Sequence, residues 1–164
     1  MFDTFMGIPI HVLVIHAVVV LGPVAGIFAL AYAARPAWRR ILRWPLATLG
    51  VIAGVAGFVA AESGEQLEQR LRSAGVGGET LTLIEEHADA GDLAKLACLI
   101  FLVVTLVAAF VTLKPGQSGV LTTVTAIVLA LSALGVMATV TLAGHAGAKA
   151  VWSQTVTGTN ASGG

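Results

Sequence analysis

Four stretches of this chain are long and apolar enough to cross a lipid bilayer, over about residues 8–34, 41–61, 93–113 and 120–143. The only Asp, Glu, Lys or Arg side chains in them are Arg43 and Lys95, each near a stretch's end. A helix needs about 20 apolar residues to span the hydrocarbon, where every backbone N–H and C=O must be bonded within the segment. Of all 164 residues, 57% are hydrophobic and 11% charged. Soluble domains hold about 45–50% apolar and about 25% charged residues. A chain this apolar is not a soluble domain, a disordered region, a collagen or a nucleic-acid-binding module. The reading is an all-α integral membrane protein: a four-helix bundle forming one domain over residues 1–152, with a disordered polar tail at 153–164.

Arg35-Pro36 and Lys114-Pro115-Gly116 are turn signals between spans. Such short connections make spans one and two one antiparallel hairpin and spans three and four another. Gly22-Pro23 is expected to kink span one. The long connection, 62–92, reads as a polar extension of the second helix, a glycine-rich turn at 75–78, and a second polar helix running into span three. Two polar helical segments are thus expected to cap the bundle at one end. Ala31-Tyr32-Ala33 has the look of a signal cleavage site, but no Lys or Arg precedes it and the apolar run is too long, so span one is expected to be retained.

The formal net charge is zero, with nine bases against nine acids. Arg35, Arg39, Arg40, Arg43 and Lys114 flank the two short turns. Arg70, Arg72, Lys95 and Lys149 lie at the other end. So do all the acids: Asp3, Glu62, Glu65, Glu68, Glu79, Glu85, Glu86, Asp89 and Asp92. Short basic loops stay cytoplasmic, which puts both termini and the polar cap outside the cytoplasm. The arginine cluster, with Trp38 and Trp44, reads as an anchor at the lipid headgroups.

All four histidines fall at the acidic end. His11 and His16 lie in the first turns of span one, His87 ahead of span three and His145 after span four. His11 and His16 point roughly 140° apart, so they are not a same-face pair. The high energy of a polar group in lipid should turn His16 inward. His11 is expected nearer the headgroups or the outer loop. Glu85, Asp89 and Asp92 share one helix face. His87 shares another with Ala94 and Cys98 and is expected to look into the bundle mouth. Gly144 and Gly147 beside His145 would let a ligand or another backbone come close.

Three readings follow. Neutral imidazoles backed by carboxylates suit haem b or a transition-metal ion. His16 and His87 are then the leading ligands and His11 and His145 the next, with Glu62, Glu65, Glu86 and Asp92 behind them. The site would serve redox chemistry or metal handling. Alternatively the polar end is a non-enzymatic cap docking a membrane or periplasmic protein, or a site for a proton or small ligand. A two-haem wire across the membrane is excluded, because the basic half has no histidine. Cys98 is alone in an apolar run and reads as a small hydrophobe. Gly50, Gly54 and Gly57 mark a close helix contact within the bundle. Asn160-Ala161-Ser162 fits a glycosylation sequon, with nothing to show a eukaryotic secretory context.

The segment GIPIHVLVIHAVVVLGP at residues 7–23 resembles the opening of a bacterial membrane family, the "domain of unknown function 2231" family. SGEQLE at 63–68, EHADAGD at 86–92 and GHAGAKAVW at 144–152 resemble its later motifs in the same order. Val12 stands where many members carry proline, and His145 where relatives carry other polar residues. The resemblance implies a four-helix bacterial inner-membrane protein and points to His11, His16, Glu65, His87, Asp92 and Gly147. It implies no reaction.

Overall fold

The computed structural model describes residues 4–161 of the chain. A two-residue antiparallel pair, β1 (Thr4–Phe5) and β2 (Ile8–Pro9), precedes four long helices. These are α1 (Ile10–Ala34), α2 (Arg39–Ser73), α3 (Gly78–Val107) and α4 (Val120–Ala161). A 3₁₀ turn, Pro36–Trp38, joins α1 to α2, and a π turn, Ala108–Thr112, ends α3. All four helices are long and apolar enough to cross a membrane.

α1 and α3 each pack against both α2 and α4, so neighbours in sequence are neighbours in space and α4 closes on α1. α1 continues through Pro23 and α2 through Pro45. At about 1.5 Å per residue α2 is about 50 Å long, well beyond the roughly 30 Å hydrocarbon. The polar segments foreseen as a cap are the ends of α2 and α3 themselves, and among the described residues no separate cap element stands apart from the bundle. α4 runs through Ala161, into the stretch expected as a tail. The last three residues of that tail, and Asp3, lie outside the described residues.

The turn between α2 and α3 follows from its glycines. The Gly75 N–H bonds to the Arg72 carbonyl and the Val76 N–H to the Leu71 carbonyl, with Gly75 at φ +85°. These are the paired bonds of a Schellman motif, which need a left-handed residue that glycine supplies without strain. Glu79 then sits in the first turn of α3, where a carboxylate favours the helix dipole.

Small residues bring α2 onto α3. A Cβ added at Gly50 would meet Thr105 Cγ2 at 2.8 Å, one at Gly54 the Leu102 Cβ at 2.8 Å, and one at Gly57 the Cys98 Cβ at 2.8 Å. Lipid tails are as apolar as a helix interior, so such close packing, not the hydrophobic effect, holds spans together. Tyr32, Phe101, Leu46, Leu113, Leu129, Val136 and Val140 fill the core, and Cys98 is buried with them. Val20, Ile27, Val103, Val111, Ile127 and Leu131 are among the side chains left facing outward, toward lipid.

The basic end is closed by a residue that sequence reasoning did not single out. The Tyr32 hydroxyl donates to the Leu113 carbonyl at 2.9 Å, and buried Arg39 donates through Nε to the Tyr32 carbonyl at 3.3 Å. Tyr32→Phe strands a buried carbonyl and is expected to destabilise the bundle by about 1–3 kcal/mol. Thermal unfolding of the detergent-solubilised variant checks this, and an unchanged midpoint would refute it.

Candidate functional site

At the acidic end two imidazoles meet across the bundle. His11, in the first turn of α1, points its Nδ1 at the Ala60 carbonyl of α2 at 2.8 Å. His87, on α3, points its Nδ1 at the Ala143 carbonyl of α4 at 3.1 Å. A carbonyl only accepts, so each Nδ1 is the donor. The two rings lie edge to face with centroids 5.9 Å apart.

The same device works on both sides. A Cβ on Gly64 would stand 3.0 Å from the His11 Cε1, and one on Gly147 would stand 2.9 Å from the His87 Cε1. Each glycine lies four residues after the carbonyl that its histidine reaches. Positions i and i+4 share a helix face, so the glycine clears room for the ring where the carbonyl receives its proton. Ala60's carbonyl also accepts from the buried Ser63 hydroxyl at 3.1 Å. One histidine thus ties α1 to α2, the other ties α3 to α4, and the ring contact joins the two hairpins. The spacing of Ala60 with Gly64 and of Ala143 with Gly147 was visible in the sequence. Its meaning was not, since the two facing histidines come from other helices.

His87 lies on the acid-rich turns of α3 ahead of the apolar stretch that begins at Leu93. Burial holds its pKa below the ordinary 6.5, and repulsion by His11 adds to this against a smaller opposing effect of the Ala143 carbonyl.

The remaining candidates lie elsewhere. His16 is exposed, and its Nδ1 bonds to the Val12 carbonyl of its own helix at 2.6 Å. The expectation that it turns inward fails, because a bond within its own helix satisfies the ring on the outer face. His145 is also exposed. Gly144 packs against Val19 with no tight approach. Lys95 Nζ gathers Asp92 at 3.1 Å, Glu62 at 3.4 Å and Glu65 at 3.5 Å. Lys149 holds Glu86 at 3.1 Å, and Arg72 bridges Glu68 and Glu85 at 2.6 and 2.7 Å. The carboxylates foreseen behind the imidazoles are therefore taken by lysines.

This overturns the expected haem or transition-metal site. Among the described residues no group of three or more His, Cys, Asp or Glu side chains is placed to hold a metal ion. The four histidines form no single cluster, since His16 and His145 face outward. His11 and His87 meet edge to face, which leaves no room for an iron macrocycle between them. The redox and metal-handling readings fall with the site.

A family model described as "Predicted membrane protein (DUF2231)" matches residues 7–160. Comparison with curated proteins found no match, and neither did comparison with solved structures.

Proposed function

The chain belongs to the family of predicted membrane proteins DUF2231, and we propose that it is a non-enzymatic membrane subunit that presents the polar end of its bundle to a protein partner. The observation that carries this reading is the four-helix junction at His11 and His87, which sets a rigid base for polar helix ends. Around that junction, cross-helix ion pairs of Lys95, Lys149 and Arg72 brace α2, α3 and α4 against one another. Glu79 and Asp89 are exposed and stand outside those ion pairs. Acids outnumber bases at this end, which suits a partner with a basic face.

In this reading the polar end is an extracytoplasmic cap, the protein lies in the bacterial inner membrane, and both termini face away from the cytoplasm, as the arginine-rich turns favour. His11, His87, Gly64 and Gly147 set the geometry of the cap. Glu62, Glu65, Glu86 and Asp92 hold its lysines. His16, His145 and Gly144 have no part in it.

Site-specific photocrosslinking in native membranes tests the reading. A photoreactive residue at Glu79 or Asp89 is expected to yield a heterologous adduct of discrete mass, and one at lipid-facing Val103 is not. Reversal of the neighbouring charge, Asp89→Lys with the probe at Glu79, is expected to abolish the adduct. Absence of adducts at both cap positions, or equal adducts at Val103, would refute the proposal.

A further inference from the structure

The opposite end carries a feature that the cap does not use. Trp44, Thr48, Val51 and Ile52 of α2 and Leu106 and Phe110 of the α3 end line an open, almost wholly apolar groove of about 310 Å³. It runs along the outer surface of the bundle, where a membrane protein meets lipid. At its mouth Trp44 and Phe110 stand edge to face, 5.3 Å between centroids. The Arg43 guanidinium lies over the Phe110 ring at 4.7 Å and near the Trp44 ring at 6.0 Å.

That arginine is unusual in its surroundings. Its Nε is buried and has no hydrogen-bond partner among the described residues. Arg35, Arg39 and Arg40 stand within the same short segment, and no acid in the chain is near it in sequence. The ion pairs among the described residues all lie at the other end of the bundle. Cation–π contact holds the guanidinium in place but leaves its positive charge uncompensated. A basic mouth above an apolar groove at the headgroup level complements one class of molecule, a phosphodiester joined to acyl chains.

We propose that this groove is a binding site for an anionic phospholipid. An acyl chain lies between α2 and the end of α3, along Val51, Ile52 and Leu106. The headgroup phosphate accepts hydrogen bonds from the guanidinium groups of Arg43 and Arg40. A second copy of the chain is a poorer occupant, because a two-fold contact at this face would bring two arginine clusters together.

Trp44 reports on the groove. The chain has three tryptophans, so Trp38→Phe with Trp152→Phe leaves Trp44 as the sole emitter. The protein is reconstituted into phosphatidylcholine vesicles holding a minority of phosphatidylglycerol. Bromine, a short-range quencher, is carried on the acyl chains of one lipid or the other. Phosphatidylglycerol is expected to quench Trp44 with an about fivefold preference over its mole fraction, the equivalent of roughly 1 kcal/mol from an arginine at a charged lipid surface. Arg43→Gln, which removes the charge, and Thr48→Phe, which fills the groove from an exposed position, are each expected to bring quenching back to mole fraction. Quenching that follows mole fraction in the parent protein would overturn the proposal. So would a preference that survives either substitution, or a Trp44 that neither lipid quenches, which would mean that protein covers the groove.

Discussion

Gly54→Leu is expected to force α2 and α3 apart and to lower stability by about 3 kcal/mol, the upper part of the range for overpacking a filled interior. The Leu102 Cβ and Cδ2 both lie 2.8 Å from where a Cβ on Gly54 would be. The Cβ of Leu102 is fixed to its backbone and cannot swing aside as a side-chain tip could, so the helices must separate. The loss extends to Gly50 against Thr105 and to Gly57 against Cys98, because the three contacts form one seam. For a chain of this length it corresponds to a fall of about 10 °C in the thermal midpoint. Gly135→Ala provides the contrast. Gly135 is also inside a helix, but a Cβ there meets nothing within 4 Å. That substitution is expected to be neutral or to stabilise by up to about 1 kcal/mol through helix propensity. Thermal unfolding of both variants in one detergent decides the matter, and equal midpoints would show that the seam does not hold the bundle.

Acidification should open the histidine junction. Burial and His11 keep His87 neutral in the folded protein at pH values where the unfolded chain already binds a proton. The folded pKa is lowered, so the unfolded state holds more protons on the acid side and stability rises with pH. The stabilisation is complete above the ordinary value of 6.5 and is lost progressively as the pH falls from there toward the lower folded value. Carboxylates ordinarily titrate near pH 4, which leaves a window around pH 5–6.5 in which imidazoles dominate. Opening gives up the His87 bond to the Ala143 carbonyl and the ring contact with His11, a loss of about 1–3 kcal/mol. Hydrogen exchange over residues 78–92 and 140–150, followed from pH 8 to pH 5, is expected to accelerate in the acid range beyond its intrinsic pH dependence. His87→Gln should remove that extra acceleration, and His145→Gln should not, because His145 is exposed. Gly147→Leu should evict the ring from α4 and show the open behaviour at every pH. An acid response that persists in His87→Gln would place the sensitivity elsewhere.

The acidic end shows where sequence reasoning reached and where it stopped. His87 on one face with Ala94 and Cys98 was legible, because helical spacing fixes which residues share a face, and Ala94 and Cys98 are buried. The outward row Glu85, Asp89 and Asp92 was legible for the same reason, and all three are exposed. His16 was misread. The argument that lipid drives a polar group inward neglects the carbonyl of its own helix, which Val12 supplies at 2.6 Å. The carboxylates were misassigned because sequence order does not say whether an acid will meet an imidazole or a lysine. Lys95 stands close enough to reach Glu62 and Glu65 from another helix, and a full opposite charge outcompetes a neutral ring.

Length and apolarity alone determined that this chain folds as four spanning helices, because lipid offers the backbone no partners and leaves a helix few alternatives. The same pattern fixed the two short turns, the glycine seam as a place of close contact, and the gathering of all the acids at the end opposite the Arg35–Arg43 cluster. Tertiary packing alone decided which histidines meet, that each donates to a carbonyl of the neighbouring helix, and that no ligand set for a metal converges among the described residues. It also decided that Arg43 lies over Phe110 above an apolar groove. Those outcomes depend on the rotation of each helix about its axis and on its rise relative to its neighbours. Small residues at the seams set both, through contacts between positions far apart in the chain that a linear pattern does not encode.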